Sequence, residues 1–303
     1  MNDEVRIAMI GLDTSHSIEF PRRMNAPDCR EDLKVDGLTV VSCLRFPSPF
    51  QNAEGLDQRQ KQLEEWGIPV TLDFDAAVAD CDAIMLEIND PCQHLPYFER
   101  CAGLGKPLFL DKPPAESAAS FERICDLAAQ QETRFFTSSG MRFVPQLLDA
   151  CAKVEEPESV SVFGALGGGP EGTTLGQIIV WYGIHTFEIL NRAMGRGAES
   201  VFVKPDRGGA VATVQYPGSR RGVVELSDRK WLYGGWLRDS KNAVSFSIDI
   251  PYMVHNSVTD QLKRIKAFFQ GGEAPVALED SQEIMRMLDA AARSAKSGQV
   301  EPV

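Results

Sequence analysis

Three short stretches carry residue types that can do chemistry. Leu110-Asp111-Lys112-Pro113-Pro114 puts a lysine in a turn stiffened by two prolines, since proline fixes φ and removes backbone donors. A lysine held there can hydrogen-bond a substrate oxygen and lower the pKa of a neighbouring acid–base group. Trp181-Tyr182-Gly183-Ile184-His185-Thr186-Phe187-Glu188 holds a histidine, which titrates near neutrality and suits proton transfer to or from a hydroxyl. Taken singly, each has a plainer reading: a solvated loop lysine, and a histidine satisfied within the core. The third stretch, Gly11-Leu12-Asp13-Thr14-Ser15-His16, follows an apolar run and occupies the place of a G-x-G-x-x-G phosphate-cradling turn. Its first glycine stands, but Asp13 replaces the second and His16 the third. A carboxylate about 5 Å from a phosphate charge costs roughly 3 kcal/mol at an effective dielectric near 20, unless the side chain turns away. Asp13 can equally cap the helix that follows.

The elements that must position these residues change character along the chain. Up to about residue 140, strand-like and helix-like segments alternate. Strands are expected at 5–10, 38–44, 83–88, 107–110 and 135–138, with a short extended piece at 68–72. Helices are expected over 57–66, 94–104 and, capped by Ser117, up to residue 131. That alternation implies crossover connections and a parallel sheet, whose ligands bind outside the carboxyl ends of its strands. Asp13, His16 and Lys112 all follow such ends. Beyond Pro157 a helix over 184–194 precedes strand-like runs at 200–204, 210–216, 222–226 and 244–250, with turns at Pro217-Gly218 and Asp206-Arg207-Gly208-Gly209. Helices over 257–269 and 280–297 close the chain. The expected architecture is α/β: a Rossmann-type doubly wound parallel sheet over 1–140, then an α+β domain over 141–303 on an open, mostly antiparallel sheet. The final helix is free to pack back on the first domain.

Bulk properties narrow the partners. A chain of 303 residues can hold two domains, and a net charge of −12 argues against nucleic acid or an anionic membrane as the main partner. It leaves an anionic small molecule open, because such a ligand responds to local charge. The first residues lack a basic region followed by an apolar one, so no secretory signal is expected. No apolar run approaches a membrane span. None of the seven cysteines forms a C-x-x-C pair, which reads as reduced thiols in a cytoplasmic protein without structural zinc.

The Rossmann-like start, Asp111-Lys112-Pro113, Met141-Arg142-Phe143, Gly183-x-His185-x-x-Glu188 and the tail Ala292-Arg293-Ser294-Ala295-Lys296-Ser297-Gly298-Gln299 stand in a recognisable order. That ordered set resembles the glucose-fructose oxidoreductase and inositol dehydrogenase (Gfo/Idh/MocA) family, over nearly the whole chain. The resemblance implies NAD- or NADP-dependent hydride transfer on a sugar, cyclitol or related hydroxy or keto compound, and homo-oligomers through the second sheet. By position it makes Lys112 the lysine of the family's E-K-P motif and His185 the acid–base histidine of D-x-G-x-H. Cofactor contacts are expected from Gly11, Asp13, Thr14, Ser15, His16, Arg45, Asn89 and His94, and substrate contacts from Arg142, Tyr182 and Glu188.

The chain also departs from that pattern. Asp111 replaces the glutamate of E-K-P, and Trp181 replaces the aspartate of D-x-G-x-H. The second strand ends at Cys43-Leu44-Arg45 without an acid for the adenosine ribose, and Arg45 can instead meet a 2′-phosphate or lie on the surface. Two other readings therefore stay open. One is a degenerate member that binds a small molecule or partner without redox chemistry. The other is a metal-dependent lyase or hydrolase using Asp13, His16, His94 and His185, with His255 reaching the same cleft, an oxygen and nitrogen set suited to zinc, manganese or iron. No metal ligand is assigned.

Overall fold

The computed structural model describes residues 4–228, 231–249 and 251–303. The first three residues of the expected signal-free start lie outside the described residues, as does Ile250, the last residue of the strand expected over 244–250. The chain divides into two compact units. The first comprises Met1–Ala115, Glu122–Thr137 and Val258–Val276, and the second comprises Glu116–Phe121, Ser138–Ser257 and Ala277–Val303.

The first unit is built on six parallel strands: β1 Val5–Ile10, β2 Leu38–Leu44, β3 Val70–Thr71, β4 Ala83–Leu86, β5 Leu108–Leu110 and β6 Phe135–Thr137. Their order, β3-β2-β1-β4-β5-β6, is that of a doubly wound dinucleotide-binding sheet. The central strands are buried along their length and read as continuous apolar runs, as strands covered on both faces must. Register fixes where they end: Ile10 lies beside Leu44 and Leu86, Leu86 beside Leu110, and Leu110 beside Thr137. The residues that follow, including Gly11, Arg45, Glu87 and Asp111, therefore share one edge. The helix expected over 57–66 starts earlier, at Ala53–Glu65, because the Asn52 side chain accepts from Gly55 N at 2.8 Å. A further helix, Phe74–Val78, was not expected, and Asp73 caps it.

A late segment completes this unit. The helix Ser257–Phe269 places Leu262, Ile265, Phe268 and Phe269 in one core cluster with Phe20, Phe109 and Phe136. Their spacing is that of a helical stripe. Arg23 Nε donates to Thr259 Oγ1 at 3.1 Å, and that hydroxyl donates to Leu33 O at 3.0 Å. The final helix, Leu278–Ser297, falls in the second unit.

The second unit holds seven strands: β7 Ser159–Ala165, β8 Ser200–Asp206, β9 Gly209–Gln215, β10 Arg221–Ser227, β11 Gly234–Arg238, β12 Ala243–Ser247 and β13 Glu301–Pro302. Their order is β12-β11-β7-β10-β9-β8-β13. β7 and β11, absent from the sequence expectation, lie between β12 and β10, and β7 pairs parallel with β10 and antiparallel with β11. The helices Ile184–Met194 and Leu278–Ser297 cover one face. On the other, register aligns Trp236, Ser161, Val223, Thr213 and Phe202 in one row across five strands. Trp236 and Phe202 on this face are each 38% exposed. No helix among the described residues is long and apolar enough to cross a membrane.

Candidate functional site

In the first unit the turn after β1 is tightly constrained. Gly11 has φ +107°, and a Cβ there would lie 2.3 Å from the Glu87 carbonyl oxygen, so only glycine fits. Asp13 does not project from the turn. It is 2% exposed, and its carboxylate accepts from Ser48 Oγ at 2.5 Å and from Asn89 N at 2.8 Å. It thus ties together the loops that follow β1, β2 and β4. Burial pushes its pKa up against these hydrogen bonds. The side chain has turned away, the one circumstance that relieves the repulsion the sequence raised.

The helix His16–Met24 begins at once, and no side chain caps it: Ser15 sits at the N-cap without a side-chain bond. Thr14 Oγ1 accepts from His16 N at 3.3 Å, while Thr14 O accepts from Ser17 Oγ at 2.6 Å. The N-terminus of such a helix is a favourable place for anions. Arg45, at the end of β2, donates to Gln60 Oε1 at 2.7 Å and to Asp57 Oδ1 at 2.6 Å. Asp57 is well exposed, so this pairing is screened by solvent and leaves much of the arginine's field in place. Arg45 lines a cavity of about 660 Å³ with Phe46, Ser48, Asn52, Leu56 and Thr71.

Nearer the sheet's centre lies a group the sequence reading did not assemble. His16 Nδ1 is 3.0 Å from Asp111 Oδ1 and 4.0 Å from Glu87 Oε2. Asp111 Oδ1 also accepts from Lys112 N at 2.8 Å. Glu87 is 0% exposed, and among the described residues neither of its oxygens has a hydrogen-bond partner. Burial, then the Asp111 charge, pushes Glu87 well above the usual carboxylate range. Burial also pushes Asp111 upward, but the charges of His16 and Lys112 and their hydrogen bonds outweigh it and hold Asp111 low. His94 is buried beside the same turn, and burial lowers it to about 4 despite Asp111, which keeps the ring neutral. Lys112 itself is largely buried. The metal set weighed from sequence is corrected here in one respect: Asp13 is committed to Ser48 and Asn89, and the acids beside His16 are Glu87 and Asp111. The signal for Glu87 was present as the one charged residue in the apolar run Ala83-Ile84-Met85-Leu86-Glu87-Ile88.

In the second unit His185 stands in the first turn of the helix Ile184–Met194, which has the limits expected and is entered through a π-helical turn, Ile179–Gly183. His185 Nδ1 and Ser139 Oγ hydrogen-bond at 2.6 Å. The ring packs edge-on against Tyr182 at 5.0 Å and Tyr233 at 6.2 Å between centroids. Tyr182 in turn contacts Trp181 and Trp231, and burial pushes its hydroxyl up to about 12. Ser139 is held from behind: its N donates to Glu188 Oε1 at 3.1 Å, and Arg142 Nη1 donates to Glu188 Oε2 at 3.2 Å. Arg142 also reaches Asn191 Oδ1 at 2.8 Å and Asp280 Oδ2 at 2.9 Å. Burial raises Glu188 and the Arg142 charge opposes it. Arg142 and Glu188, expected as substrate contacts, thus lie in a buried network behind His185, and Ser139 is a member that sequence reasoning missed. Lys112, His16 and His94 belong to the first unit, His185 and His255 to the second.

Residues 51–139 match the model of an oxidoreductase family with an NAD-binding Rossmann fold, Gfo/Idh/MocA. Solved structures share the fold over almost the full length of the chain. A probable dehydrogenase from Thermotoga maritima is 18% identical, with 98% of each chain covered and a TM-score of 0.80. Myo-inositol dehydrogenase from Lactobacillus casei, in complex with NAD(H) and myo-inositol, is 13% identical, covering 99% of this chain and 97% of that one at a TM-score of 0.81. Scyllo-inositol dehydrogenase from the same organism is 13% identical, covering 99% and 98% at 0.77. Comparison with curated proteins gives no match.

Proposed function

We propose that this chain, a divergent member of the Gfo/Idh/MocA oxidoreductase family, transfers a hydride between NAD or NADP and a sugar, cyclitol or related hydroxy or keto compound. The observation that carries the reading is the His185–Ser139 hydrogen bond, backed by a buried ion network whose effect is to hold one imidazole in place. The residues present also suit a dinucleotide: Gly11 permits the tight turn, Asp13 is withdrawn from it, and an uncapped helix N-terminus and the Arg45-lined cavity follow. Bound nicotinamide supplies the hydride acceptor in one direction and the donor in the other.

The chain's own residues handle the proton. With Nδ1 engaged by Ser139, proton transfer falls to His185 Nε2, which takes the substrate hydroxyl proton as the carbon becomes a carbonyl and returns it in reverse. Lys112 orients the substrate oxygen and favours its anionic character. Arg142 and Glu188 act through Ser139 as positioning residues, while Tyr182 forms the apolar wall of the histidine. Exposed Trp236 and Phe202, at the two ends of the row on the open face of the second sheet, support a homo-oligomer formed there, which a mass measurement in solution reads directly. The seven free cysteines support a cytoplasmic site of action.

The test is nucleotide binding followed by turnover. NADH or NADPH should quench tryptophan fluorescence saturably, and Lys112→Ala and His185→Ala should each cut polyol oxidation by at least about a hundredfold, within the range of acid–base catalysis. Saturating nucleotides that leave fluorescence and melting temperature unchanged overturn the proposal. Binding without turnover on any polyol favours the non-redox reading, for which Trp181 in place of an acid is the motivating residue.

A further inference from the structure

We propose that His16, Glu87 and Asp111 form a binding site for one divalent first-row transition metal of the manganese, iron and zinc class. The site lies wholly in the first unit, at the edge where β1, β4 and β5 end in register. His16 Nδ1 and one oxygen from each carboxylate lie within 4.8 Å of one another. Ligand bonds of about 2.0–2.2 Å to zinc-like ions put two donors on one ion at most about 4.3 Å apart. The 3.0 and 4.0 Å separations from His16 Nδ1 already satisfy that limit, and a slight side-chain shift closes the third.

A second observation points to a ligand independently of the clustering. Glu87 is fully buried in an apolar run just past β4, yet among the described residues neither of its oxygens has a hydrogen-bond partner, and Asp111 Oδ2 is likewise without one. A carboxylate is an acceptor only, so leaving it buried and unmet costs its full desolvation. A leucine would pack the same space without that cost. Lys112 favours the charged form of both carboxylates, and a bound cation would do so more strongly.

The donor set defines the metal class. One imidazole with two carboxylates suits manganese, iron or zinc, whereas calcium and magnesium favour all-oxygen shells. Three protein ligands leave a coordination position open, and the His16 side chain, 17% exposed, provides the route to it. Entry of the ion replaces the His16–Asp111 hydrogen bond with two metal bonds, releasing any shared proton to solvent. The proposal does not depend on hydride transfer, because binding is measured with neither nucleotide nor substrate present.

The experiment is titration of chelator-treated, untagged protein with Co²⁺, followed by visible absorption and by melting temperature. One Co²⁺ per chain should bind with ligand-field bands and raise the melting temperature. Glu87→Gln keeps the side-chain shape but removes the anionic ligand, and His16→Ala removes the partly exposed one. Each should weaken binding by on the order of tenfold or more and abolish the thermal shift. Asp80→Asn, at a well-exposed carboxylate, should change neither. A single cooperative melting transition without metal establishes that each variant folds. Absence of saturable Co²⁺ binding, or equal binding by the parent and Glu87→Gln, overturns the site.

Discussion

Glu188 in the second unit and Glu87 in the first are both withdrawn from water, yet their surroundings differ in kind. Glu188 receives Arg142 and the Ser139 backbone, and Arg142 is itself shared with Asn191 and Asp280, so the carboxylate is matched donor for acceptor. Glu87 has a second carboxylate, Asp111, with His16 and Lys112 as its other neighbours, and no hydrogen bond of its own among the described residues. The first arrangement is closed and holds a neighbour in place. The second is open in the chemical sense: it lacks a positive partner of the right size. Burial of a charge, taken alone, does not separate structure from function; completeness of its partners does.

The largest effect should come from breaking the closed network. Arg142→Leu leaves the buried Glu188 without its cation, and Asp280 with the exposed Arg196 alone, and should cost about 3–5 kcal/mol in denaturant unfolding. Adding Glu188→Gln to that variant should recover part of the loss. A cost below about 1 kcal/mol for Arg142→Leu would show that the two carboxylates do not differ as described. A smaller effect tests what the network holds. Ser139→Ala removes the bond to His185 Nδ1 and should lower kcat about tenfold, equivalent to about 1.4 kcal/mol, with KM little changed and the acid limb of the pH profile displaced. An unmoved pH profile would detach Ser139 from the histidine's role.

The smallest effect concerns the open site. Glu87 titrates above its usual value of 4.5 in the native chain, so the stability it contributes is complete below pH 4.5 and is lost as pH rises through the raised native pKa. Glu87→Gln without metal should therefore melt higher than the parent at neutral pH, on the order of 1–2 °C, and lose that advantage below pH 4.5. Equal melting curves across the whole range would mean that the Glu87 carboxyl titrates alike in the native and the unfolded chain.

Periodicity made the scaffold legible. β2 and the helix Ile184–Met194 have the limits their apolar spacing predicts, and the first unit's strand-and-helix alternation gave its parallel sheet. β7 and β11 escaped for different reasons. Ser159–Ala165 does alternate but is hemmed between Pro157 and the run Gly167-Gly168-Gly169, and Gly234–Arg238 opens on two glycines that weaken any strand signal. At the site, His185 and Lys112 were conspicuous as residue types. Asp13 was legible as an anomaly, but its partners Ser48 and Asn89 are far away in sequence, so its direction was not. Glu87 was visible as a charge in an apolar strand, yet pairing it with Asp111 and His16 required the strand order β1-β4-β5.

The return of residues Val258–Val276 to the first unit bears on how the chain is made. Leu262, Ile265 and Phe268 belong to that unit's apolar cluster, and Thr259 takes the side chain of Arg23. A nascent chain released at the end of β6 would leave Phe20, Phe109 and Phe136 without this covering helix. The first unit to emerge from the ribosome is thus completed only after most of the second has been synthesised. The parallel-sheet half must wait, partly uncovered, while the other half is still being translated.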